Sequence, residues 1–425
     1  MVLPVPDRDL DVVVFGSTGV TGRRVAAYLA ERAAETGASW AAAVRDVAKL
    51  RRVLEEEGVS APETIVADVD QPDSLAAMAS RARVVLNLVG PYTLYGRPVI
   101  EACVAGGAHY VDLTGEIPFV RQIIDSFGDR AREAEVKLVQ VCGFESLPAD
   151  LSVLLAAEQA RARWDDALAE VDLEASVSAP PGMPRPSDMV SGGTAQSLAA
   201  AASSENAAAV TDPAALITDS AVAEEIRRRS PISVMPRRSG DAVIAPMAPA
   251  AFINPAVIHR SAALLAAESG TRAEPFRYRE GVALRGTAPS LPLRYAAAGV
   301  MSGAQAALAS AARARPSVRR RVSGVLGAIL PSSGFGPASD RMERWKWRIS
   351  LTARTTAGRE VRVEVDADGH PGYLATARMM GEAGLLLAEP DATPQRTGCL
   401  TPATALGTAC VGRFARARVR FSVSS

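Results

Sequence analysis

The stretch Asp11-Val-Val-Val-Phe-Gly-Ser-Thr-Gly-Val-Thr-Gly22 decides the fold of this chain. Its first five residues are an apolar run, which predicts a buried strand, and a helical pattern begins at Val20. In the turn between them, Gly16 permits a tight bend, Gly19 lets the backbone approach a pyrophosphate, and Gly22 lets the helix pack against the strand. This strand, turn and helix predict a dinucleotide-phosphate site at a helix N-terminus. The alternative is a glycine-rich turn that serves only packing. The candidate phosphate-binding residues are Gly16, Ser17, Thr18, Gly19, Val20, Thr21 and Gly22.

Strand and helix patterns alternate over the first 150 residues. Continuous apolar strands separated by helices are typical of a parallel sheet that is covered on both faces. The predicted strands are residues 11–15, 40–44, 64–67, 84–89, 110–113 and 137–142. The predicted helices are residues 20–36, 46–57, 74–80, 97–105 and 117–135, with Pro98 in a first turn.

The pattern changes after Ser146. We expect a helix over 147–162, a half-buried strand over 169–179, a proline-rich loop over 179–187 and an alanine-rich helix over 194–209. Two alternating segments, 344–353 and 359–367, predict a hairpin, and residues 401–416 predict a helix with Thr401 as N-cap. The fold class is therefore α/β, with an N-terminal Rossmann-type, doubly wound parallel sheet and a second α+β domain whose sheet is largely antiparallel. The expected division is 1–150 for the dinucleotide domain, 151–400 for a substrate or association domain, and 401–425 for a C-terminal helix and tail that pack back.

The end of the second predicted strand bears on the choice of cofactor. An acidic residue usually follows this strand when the ribose 2′-hydroxyl of NAD is bound, whereas an arginine suits the 2′-phosphate of NADP. Here Arg45 follows the strand, Lys49 lies one helical turn later, and Asp46 is better explained as a helix N-cap. NADP is the expected cofactor; the alternative for Arg45 is a solvated surface side chain.

Other candidates follow later strands, because ligands in open α/β sheets lie outside the carboxyl ends of the strands. Asp68 is placed to meet the adenine side or, equally, to cap a turn. Asn87, Gly90, Pro91 and Tyr92 are expected near the nicotinamide, although a simple Gly-Pro turn is the alternative.

Composition excludes several classes of function. Lys plus Arg and Asp plus Glu both number 47, so the zero net charge argues against a nucleic-acid partner. Four dispersed cysteines and three dispersed histidines suggest neither a metal site nor a disulfide scaffold. The N-terminal residues do not form a signal peptide, and no long apolar stretch predicts a transmembrane helix, so we expect a cytoplasmic protein.

Residues 291–330 combine a small-residue segment with a following arginine-rich segment. A surface helix pair is one explanation. An interfacial helix that contacts lipid or a hydrophobic partner, and so places the protein at the membrane periphery, is the other.

Four motifs together resemble the saccharopine dehydrogenase-like reductases, and most closely the mycobacterial trans-acting enoyl reductases. They are the turn at 16–22, Asn87-Leu-Val-Gly-Pro-Tyr92, His109-Tyr-Val-Asp-Leu-Thr-Gly-Glu116 and Cys142-Gly-Phe-Glu-Ser-Leu-Pro-Ala-Asp150. Ser191-Gly-Gly-Thr194, His370-Pro-Gly-Tyr373 with Ala377 and Met380, and Thr401-Pro-Ala-Thr404 also look like that group. The resemblance covers nearly the whole chain.

The resemblance implies an NADP-dependent oxidoreductase that reduces an enoyl double bond in a polyketide- or lipid-biosynthesis intermediate. Two residues depart from the expected motif, because Glu145 and Ala149 stand where the family pattern has Asp and Ser. These departures leave the exact substrate open.

Enoyl reduction needs a proton donor and a hydrogen bond to the thioester oxygen. Tyr92 is a candidate for the hydrogen bond and Glu145 for a place in the cleft; a wall aromatic and a helix-start residue are the respective alternatives. Glu116 has the same ambiguity as Glu145. His109 is expected to be a packed strand residue rather than an acid or base.

Two other functions remain open at this point. One is a saccharopine-like amine dehydrogenase, which would need a cluster of basic residues, with Arg185 and Arg260 as scattered candidates. The other is a non-catalytic protein that binds a dinucleotide and associates with lipid. The expected partners are a small-molecule or carrier-bound lipid substrate and no nucleic acid, and a homodimer is compatible with the sequence.

Overall fold

The strands of the N-terminal part lie side by side in a parallel sheet, here called the first sheet. A computed structural model describes residues 8–59, 62–181, 207–247, 250–285, 290–315, 317 and 339–425. The motif at 191–194, Arg185, most of the predicted loop and helix between 179 and 209, and most of the arginine-rich end of 291–330 lie outside these residues. Within the described residues the first sheet has seven strands in the order β13-β6-β5-β4-β1-β2-β3, every pair parallel. Its strands are β1 (Leu10–Phe15), β2 (Trp40–Val44), β3 (Glu63–Val66), β4 (Ala82–Asn87), β5 (His109–Asp112), β6 (Lys137–Val139) and β13 (Gly398–Leu400).

Five helices connect these strands and a sixth leads out of the sheet. Their bounds are α1 (Val20–Thr36), α2 (Val47–Glu56), α3 (Pro72–Arg81), α4 (Tyr92–Gly106), α5 (Ile117–Glu133) and α6 (Leu147–Trp164). Strand order and helix alternation confirm the predicted doubly wound α/β sheet.

The strand ends line up at one edge. Phe15 of β1 pairs with Ala43 of β2 and with Asn87 of β4, and Asn87 pairs with Asp112 of β5. We call this edge the carboxyl edge. The segments that leave it are therefore neighbours in space although they are far apart in sequence.

The boundaries of one helix and two strands of the first sheet differ from the prediction. Helix α4 begins at Tyr92 rather than Arg97, so Pro98 lies inside the helix and not in its first turn. Strand β4 begins and ends two residues earlier than predicted, and β6 is shorter than predicted, because the chain turns out of the sheet after Asn87 and Val139.

A second sheet follows α6 and has seven strands within the described residues, in the order β14-β12-β11-β7-β10-β9-β8. The β7–β10 pair is parallel and the other pairs are antiparallel, which confirms a largely antiparallel second sheet. Its strands are β7 (Leu168–Ser178), β8 (Arg237–Ser239), β9 (Ala242–Ala245), β10 (Arg277–Leu284), β11 (Lys346–Thr355), β12 (Glu360–Asp368) and β14 (Val419–Ser424). The accompanying helices are α7 (Ser220–Arg229), α8 (Asn254–Glu268), α9 (Leu291–Ala312), α10 (Ser339–Glu343), α11 (Thr376–Ala388) and α12 (Pro402–Leu406).

The chain returns to the first sheet near its C-terminus. Helix α11 is buried along its whole length and packs on α1 and β4. A Cβ added at Gly381 would lie 2.5 Å from Tyr28 Cδ1, so the glycine allows this close approach. Strand β13 joins the first sheet and β14 joins the second, so the last part of the chain contributes to both sheets. The expected division at residues 150 and 400 stays a prediction.

A buried ionic cluster fixes α11 against α1. Glu382 has a fully buried side chain; its Oε2 accepts hydrogen bonds from Tyr28 Oη at 2.6 Å and Arg32 Nε at 3.2 Å. Its Oε1 accepts a bond from Arg413 Nε at 2.9 Å. Two guanidinium groups and a phenol thus neutralise and solvate one buried carboxylate.

The helix predicted over 401–416 is much shorter in the structure. Thr401 does cap the start, since its side chain accepts a hydrogen bond from Thr404 N, but the helix ends at Leu406. Gly407 follows with a φ of 68°, which ends the helix, and a 3₁₀ turn (Val411–Ala415) leads into β14.

Helix α9 covers the first part of the 291–330 segment. It carries one charged side chain, Arg294, and exposes Leu293 and Val300. None of the described helices combines the length and apolarity that crossing a bilayer requires. Contact of this segment with lipid stays a prediction.

Candidate functional site

The glycine turn after β1 (residues 16–22), here called the phosphate turn after its predicted ligand, is tight and packs closely on α1. Gly16 has a φ of 94°, and Gly19 N donates a hydrogen bond to Gly16 O at 3.1 Å, which closes the turn. A Cβ at Gly22 would lie 2.2 Å from Gly16 O, so only glycine fits there. The buried Ser17 hydroxyl donates to Val14 O and holds the turn against the strand. Because the N-cap of α1 is Gly19, no capping side chain competes for the first helical N–H groups.

Arg45 stands free at the end of β2. It is exposed, and no acidic side chain among the described residues pairs with it. Asp46 is the N-cap of α2, as expected, because its side chain accepts a hydrogen bond from Lys49 N at 2.9 Å. Lys49 is also exposed, on the first turn of α2. An unpaired guanidinium beside the phosphate turn fits the 2′-phosphate of NADP.

The side chain of Asp68 caps the turn that follows it. Its Oδ1 accepts a hydrogen bond from Asp70 N at 3.1 Å, and Ser74 Oγ accepts one from Asp68 N. The turn-capping alternative thus has direct contacts, and a role toward adenine stays a prediction.

The segment after β4 is held by side chains from two strands. The fully buried Asn87 accepts a hydrogen bond from Val89 N and donates one from Nδ2 to Tyr110 Oη at 3.0 Å. The Gly90–Pro91 peptide bond is cis, and Tyr92 begins α4 directly after it. A Cβ at Gly16 would lie 2.9 Å from Val89 Cγ2, so this segment touches the phosphate turn.

Tyr92 is enclosed at the carboxyl edge. Its hydroxyl donates to Asn87 O at 3.2 Å and accepts a longer hydrogen bond from Leu113 N. Burial, together with the carboxyl groups of Asp112, Glu116 and Glu145, holds the pKa of Tyr92 well above its usual value. The hydroxyl therefore stays protonated, but its proton is directed to a backbone carbonyl. A hydrogen bond from Tyr92 to substrate stays a prediction.

Glu116 acts on the start of α4. Its carboxylate accepts hydrogen bonds from Tyr92 N at 2.9 Å and Thr93 N at 2.8 Å, and another from the Thr93 hydroxyl. A carboxylate at a helix N-terminus satisfies orphan N–H groups and complements the helix dipole. Glu116 positions the segment after β4.

Asp112 ends β5 and was not among the candidates from sequence. Its Oδ1 accepts hydrogen bonds from Thr114 N at 3.0 Å and Val141 N at 3.1 Å, and its Oδ2 accepts one from Tyr110 Oη. Burial raises the pKa of Asp112 to about 7. It binds the segments after β5 and β6 together; the strand-end rule that selected Asn87 would also have selected it.

Glu145 lies where the segment after β6 meets both sheets. Its neighbour Phe144 donates a backbone hydrogen bond to Thr376 Oγ1 at 3.0 Å and packs edge-on against Trp347 of β11, with ring centroids 4.9 Å apart. Burial raises the pKa of the Glu145 carboxyl, and a hydrogen bond from its own backbone N–H partly offsets this rise. Helix α11 and the second sheet therefore meet the segment after β6 at Phe144, next to a carboxyl group whose pKa is raised.

His109 and His259 are packed residues with lowered pKa values. His109 Nδ1 accepts a hydrogen bond from Lys137 N, and burial lowers its pKa to about 4. His259 is buried with a pKa lowered to about 4 by the same cause. His109 is a packed strand residue, as expected.

Arg260 was a candidate for binding a dicarboxylate, and the structure gives it another role. It is buried and donates to the carbonyl oxygens of Leu216 at 2.8 Å and Cys399 at 3.3 Å. Burial lowers its pKa to about 10. Its guanidinium links α8 to β13 of the first sheet.

Comparison with known proteins agrees with this geometry. Residues 12–139 match the family model described as the saccharopine dehydrogenase NADP binding domain. A Mycobacterium tuberculosis protein named as a trans-acting enoyl reductase is 35% identical over 97% of both chains. The trans-acting enoyl reductase of Mycobacterium ulcerans is 32% identical over 98% of both chains.

Among solved structures, the saccharopine dehydrogenase (L-Glu forming) of Saccharomyces cerevisiae superposes with a TM-score of 0.51 at 11% identity. That match covers 97% of this chain and 99% of the yeast chain and bears on the fold alone. The chain belongs to the saccharopine dehydrogenase-like reductases, in the group of full-length proteins called trans-acting enoyl reductases, and is an NADP-dependent oxidoreductase.

Proposed function

We propose that this protein reduces the carbon–carbon double bond of an enoyl thioester that arises in polyketide or lipid assembly. The full-length identity to proteins named as trans-acting enoyl reductases is the observation that carries the proposal. The ring contact between Phe144 and Trp347, next to Glu145, supports it, since aromatic rings suit the apolar acyl part of such a substrate.

NADPH supplies a hydride when it is bound, and the chain must place it and manage the proton. The glycine turn and the start of α1 would hold the pyrophosphate, and Arg45 would meet the 2′-phosphate. Asn87 and Glu116 fix the segment between β4 and α4, which forms one wall beside the nicotinamide position. The cofactor residues 16–22, with Arg45, Lys49, Asp68, Asn87, Gly90 and Pro91, form the proposed binding surface.

Glu145 is the proposed proton-holding group. Reduction of an enoyl thioester generates an enolate, which takes a proton at its α carbon. A carboxyl group whose pKa is raised by burial stays protonated closer to neutral pH and can return a proton at that step. Glu145 to Gln should therefore lower kcat while the affinity for NADPH stays unchanged.

The test is NADPH oxidation, followed by the loss of its absorbance, with an enoyl thioester on CoA or on an acyl carrier. Saturated product should form in proportion to NADPH consumed. Absence of NADPH binding by fluorescence titration would remove the proposal altogether.

An amine dehydrogenase reaction is less well supported. It would need basic side chains for dicarboxylate binding, and Arg260 is committed to backbone carbonyls. Lysine plus 2-oxoglutarate should give no turnover, which separates the two reactions in a single assay.

A further inference from the structure

Helix α9 has polar side chains on its inner side and apolar ones on its outer side. It packs on β9 and on the turn 207–211, and its buried residues include Ser302 and Gln305. Ser302 Oγ and both amide atoms of Gln305 have no hydrogen-bond partner among the described residues. A surface helix in water normally has the reverse arrangement, with its apolar side against the protein. The arrangement of α9 suits a helix whose outer side also meets an apolar phase.

The outer side of α9 is a continuous apolar face, here called the outer face. Leu293, Val300 and Ala307 follow one another at intervals of seven residues, so they lie almost on one line along the helix. Val300 is 75% exposed, a larger fraction than for any other large apolar side chain among the described residues, and Leu293 is 56% exposed. The exposed alanines between them are Ala296, Ala297 and Ala304.

Charged groups are absent from the outer face and lie at its C-terminal end. Arg294, the one charged residue of α9, reaches the neighbouring strands, since its Nη1 donates to Asp241 O at 2.6 Å. Arg313 and Arg315 follow the helix directly; both are exposed and have no ion pair among the described residues. An apolar face that ends in two unpaired guanidinium groups is complementary to a surface with an apolar interior and anionic headgroups.

The sequence around α9 is strongly basic. No acidic residue lies between Glu280 and Asp340, whereas seven arginines do. The rest of the chain has 40 basic residues against 47 acidic ones. The zero net charge of the whole chain therefore conceals one basic segment, and such a segment is attracted to an anionic surface.

We propose that α9 lies on the surface of a bilayer that contains anionic phospholipid. The outer face contacts the acyl chains, and Arg313 and Arg315 bind headgroup phosphates. Tyr295 is 39% exposed on the same helix, and its amphipathic ring suits the interface. A second copy of the chain is a poorer occupant, because its own outer face offers no carboxylate to the two arginines.

Vesicle flotation of the full chain tests the proposal. The probes are vesicles of phosphatidylcholine alone and vesicles of phosphatidylcholine mixed with phosphatidylglycerol. The chain should float with the mixed vesicles and should not float with phosphatidylcholine alone. Added salt should weaken the binding, because it screens the attraction between guanidinium groups and phosphates.

Val300→Asp should weaken binding to mixed vesicles at least about tenfold, because it places a carboxylate in the outer face. Val66→Asp is the matched control: this valine of β3 is 61% exposed, and the substitution changes the net charge equally. The control should change binding less than about twofold.

Replacing Arg313 and Arg315 together by Gln should weaken binding about 25-fold, at about fivefold for each arginine. The control replaces Arg51 and Arg52, both exposed on α2, and should leave binding almost unchanged.

A fluorescent label shows whether the outer face is the part that meets the lipid. The four cysteines of the chain are all buried, so an added exposed cysteine can be labelled selectively. An environment-sensitive label on Ala304→Cys should shift its emission to the blue when mixed vesicles are added. The same label on Ala77→Cys, which is exposed on α3, should not shift.

Several results would overturn the proposal. They are absence of flotation with mixed vesicles, equal binding to both kinds of vesicle, and equal losses in Val300→Asp and Val66→Asp. If the chain alone sediments as a dimer that Val300→Asp makes monomeric, the outer face binds a second copy and the membrane proposal is wrong. Because enoyl reduction is assayed without vesicles, failure of either proposal leaves the other standing.

Discussion

The two sheets differ in how much of each face is exposed to solvent. In the first sheet, β1 and β4 are buried on both faces, because helices cover each side. In the second sheet, β11 and β12 alternate, with one apolar face inside and a charged outer face that carries cross-strand pairs such as Arg348–Asp366. The difference indicates where substitutions should matter: the first sheet depends on cover from distant segments, whereas the outer face of the second depends on weak, solvated pairs.

Glu382 to Ala should give the largest effect, since it removes the carboxylate that α11 presents to α1. Arg32 and Tyr28 would then be left without their buried partner. Breaking a buried ion pair typically costs about 3–5 kcal/mol. Urea unfolding of the parent chain and the variant measures the loss.

The control for this change is Glu364 to Ala on the outer face of β12, which should cost less than about 1 kcal/mol. Equal losses for the two variants would show that the contrast between the sheets is wrong.

Gly22 to Ala should come next and should act on the cofactor. The added Cβ would lie 2.2 Å from Gly16 O, so the phosphate turn must move away from the helix. We expect the Kd for NADPH to rise about 100-fold, equivalent to about 2.8 kcal/mol. Fluorescence titration gives the value, and Gly299 to Ala, where an added Cβ meets nothing within 4 Å, should leave Kd unchanged.

Because Asp112 is buried, it makes the free energy of unfolding depend on pH. Its pKa in the folded protein is about 7, above the ordinary value of 3.8. The folded state thus binds this proton more tightly than the unfolded state. Its contribution to stability is complete below about pH 4 and is lost as the pH rises toward 7.

Asp112 to Asn should flatten this slope by at most about 1.4 kcal/mol per pH unit between pH 5 and 7. The free energy of unfolding in urea, measured at each pH, provides the comparison. The control is Asp366 to Asn on the outer face of the second sheet, which should have the same slope as the parent chain. A parent chain that gains stability over this interval relative to Asp112 to Asn would contradict the assignment.

Arg45 to Gln should have the smallest effect, and one confined to the cofactor. Loss of one guanidinium at the 2′-phosphate should raise the Kd for NADPH about tenfold and leave the Kd for NADH unchanged. Arg51 to Gln is the control, because Arg51 is also an exposed arginine but lies further along, on α2. Equal changes for the two cofactors would remove Arg45 from the 2′-phosphate site.

The sequence predicted the first sheet well where its signals are local. Helix α1 runs from Val20 to Thr36 as expected, because a glycine turn precedes it and Gly37 ends it with a φ of 74°. Helix α4 was misplaced because Glu116, far along the chain, satisfies its first N–H groups. No local pattern near Tyr92 could reveal that capping carboxylate.

The candidate site, too, could be predicted only where its signals are local in sequence. The phosphate turn could be selected from one strand–turn–helix unit, and Arg45 from its place at the end of the next strand. Thr376 and Trp347 could not, because they reach Phe144 from another helix and another sheet. Strand β13 has three residues, too few to show a period, and only its pairing with β6 identifies it.

The late return of the chain has a consequence for how the protein is made. Residues 376–400 complete the first sheet and its cover, so the first 150 residues leave the ribosome with β6 as an unpaired edge. Exposed strand edges favour association with other chains until they are paired. During synthesis the nascent N-terminal segment should therefore depend on chaperones, and synonymous changes that slow translation between 150 and 376 should lower the yield of folded protein.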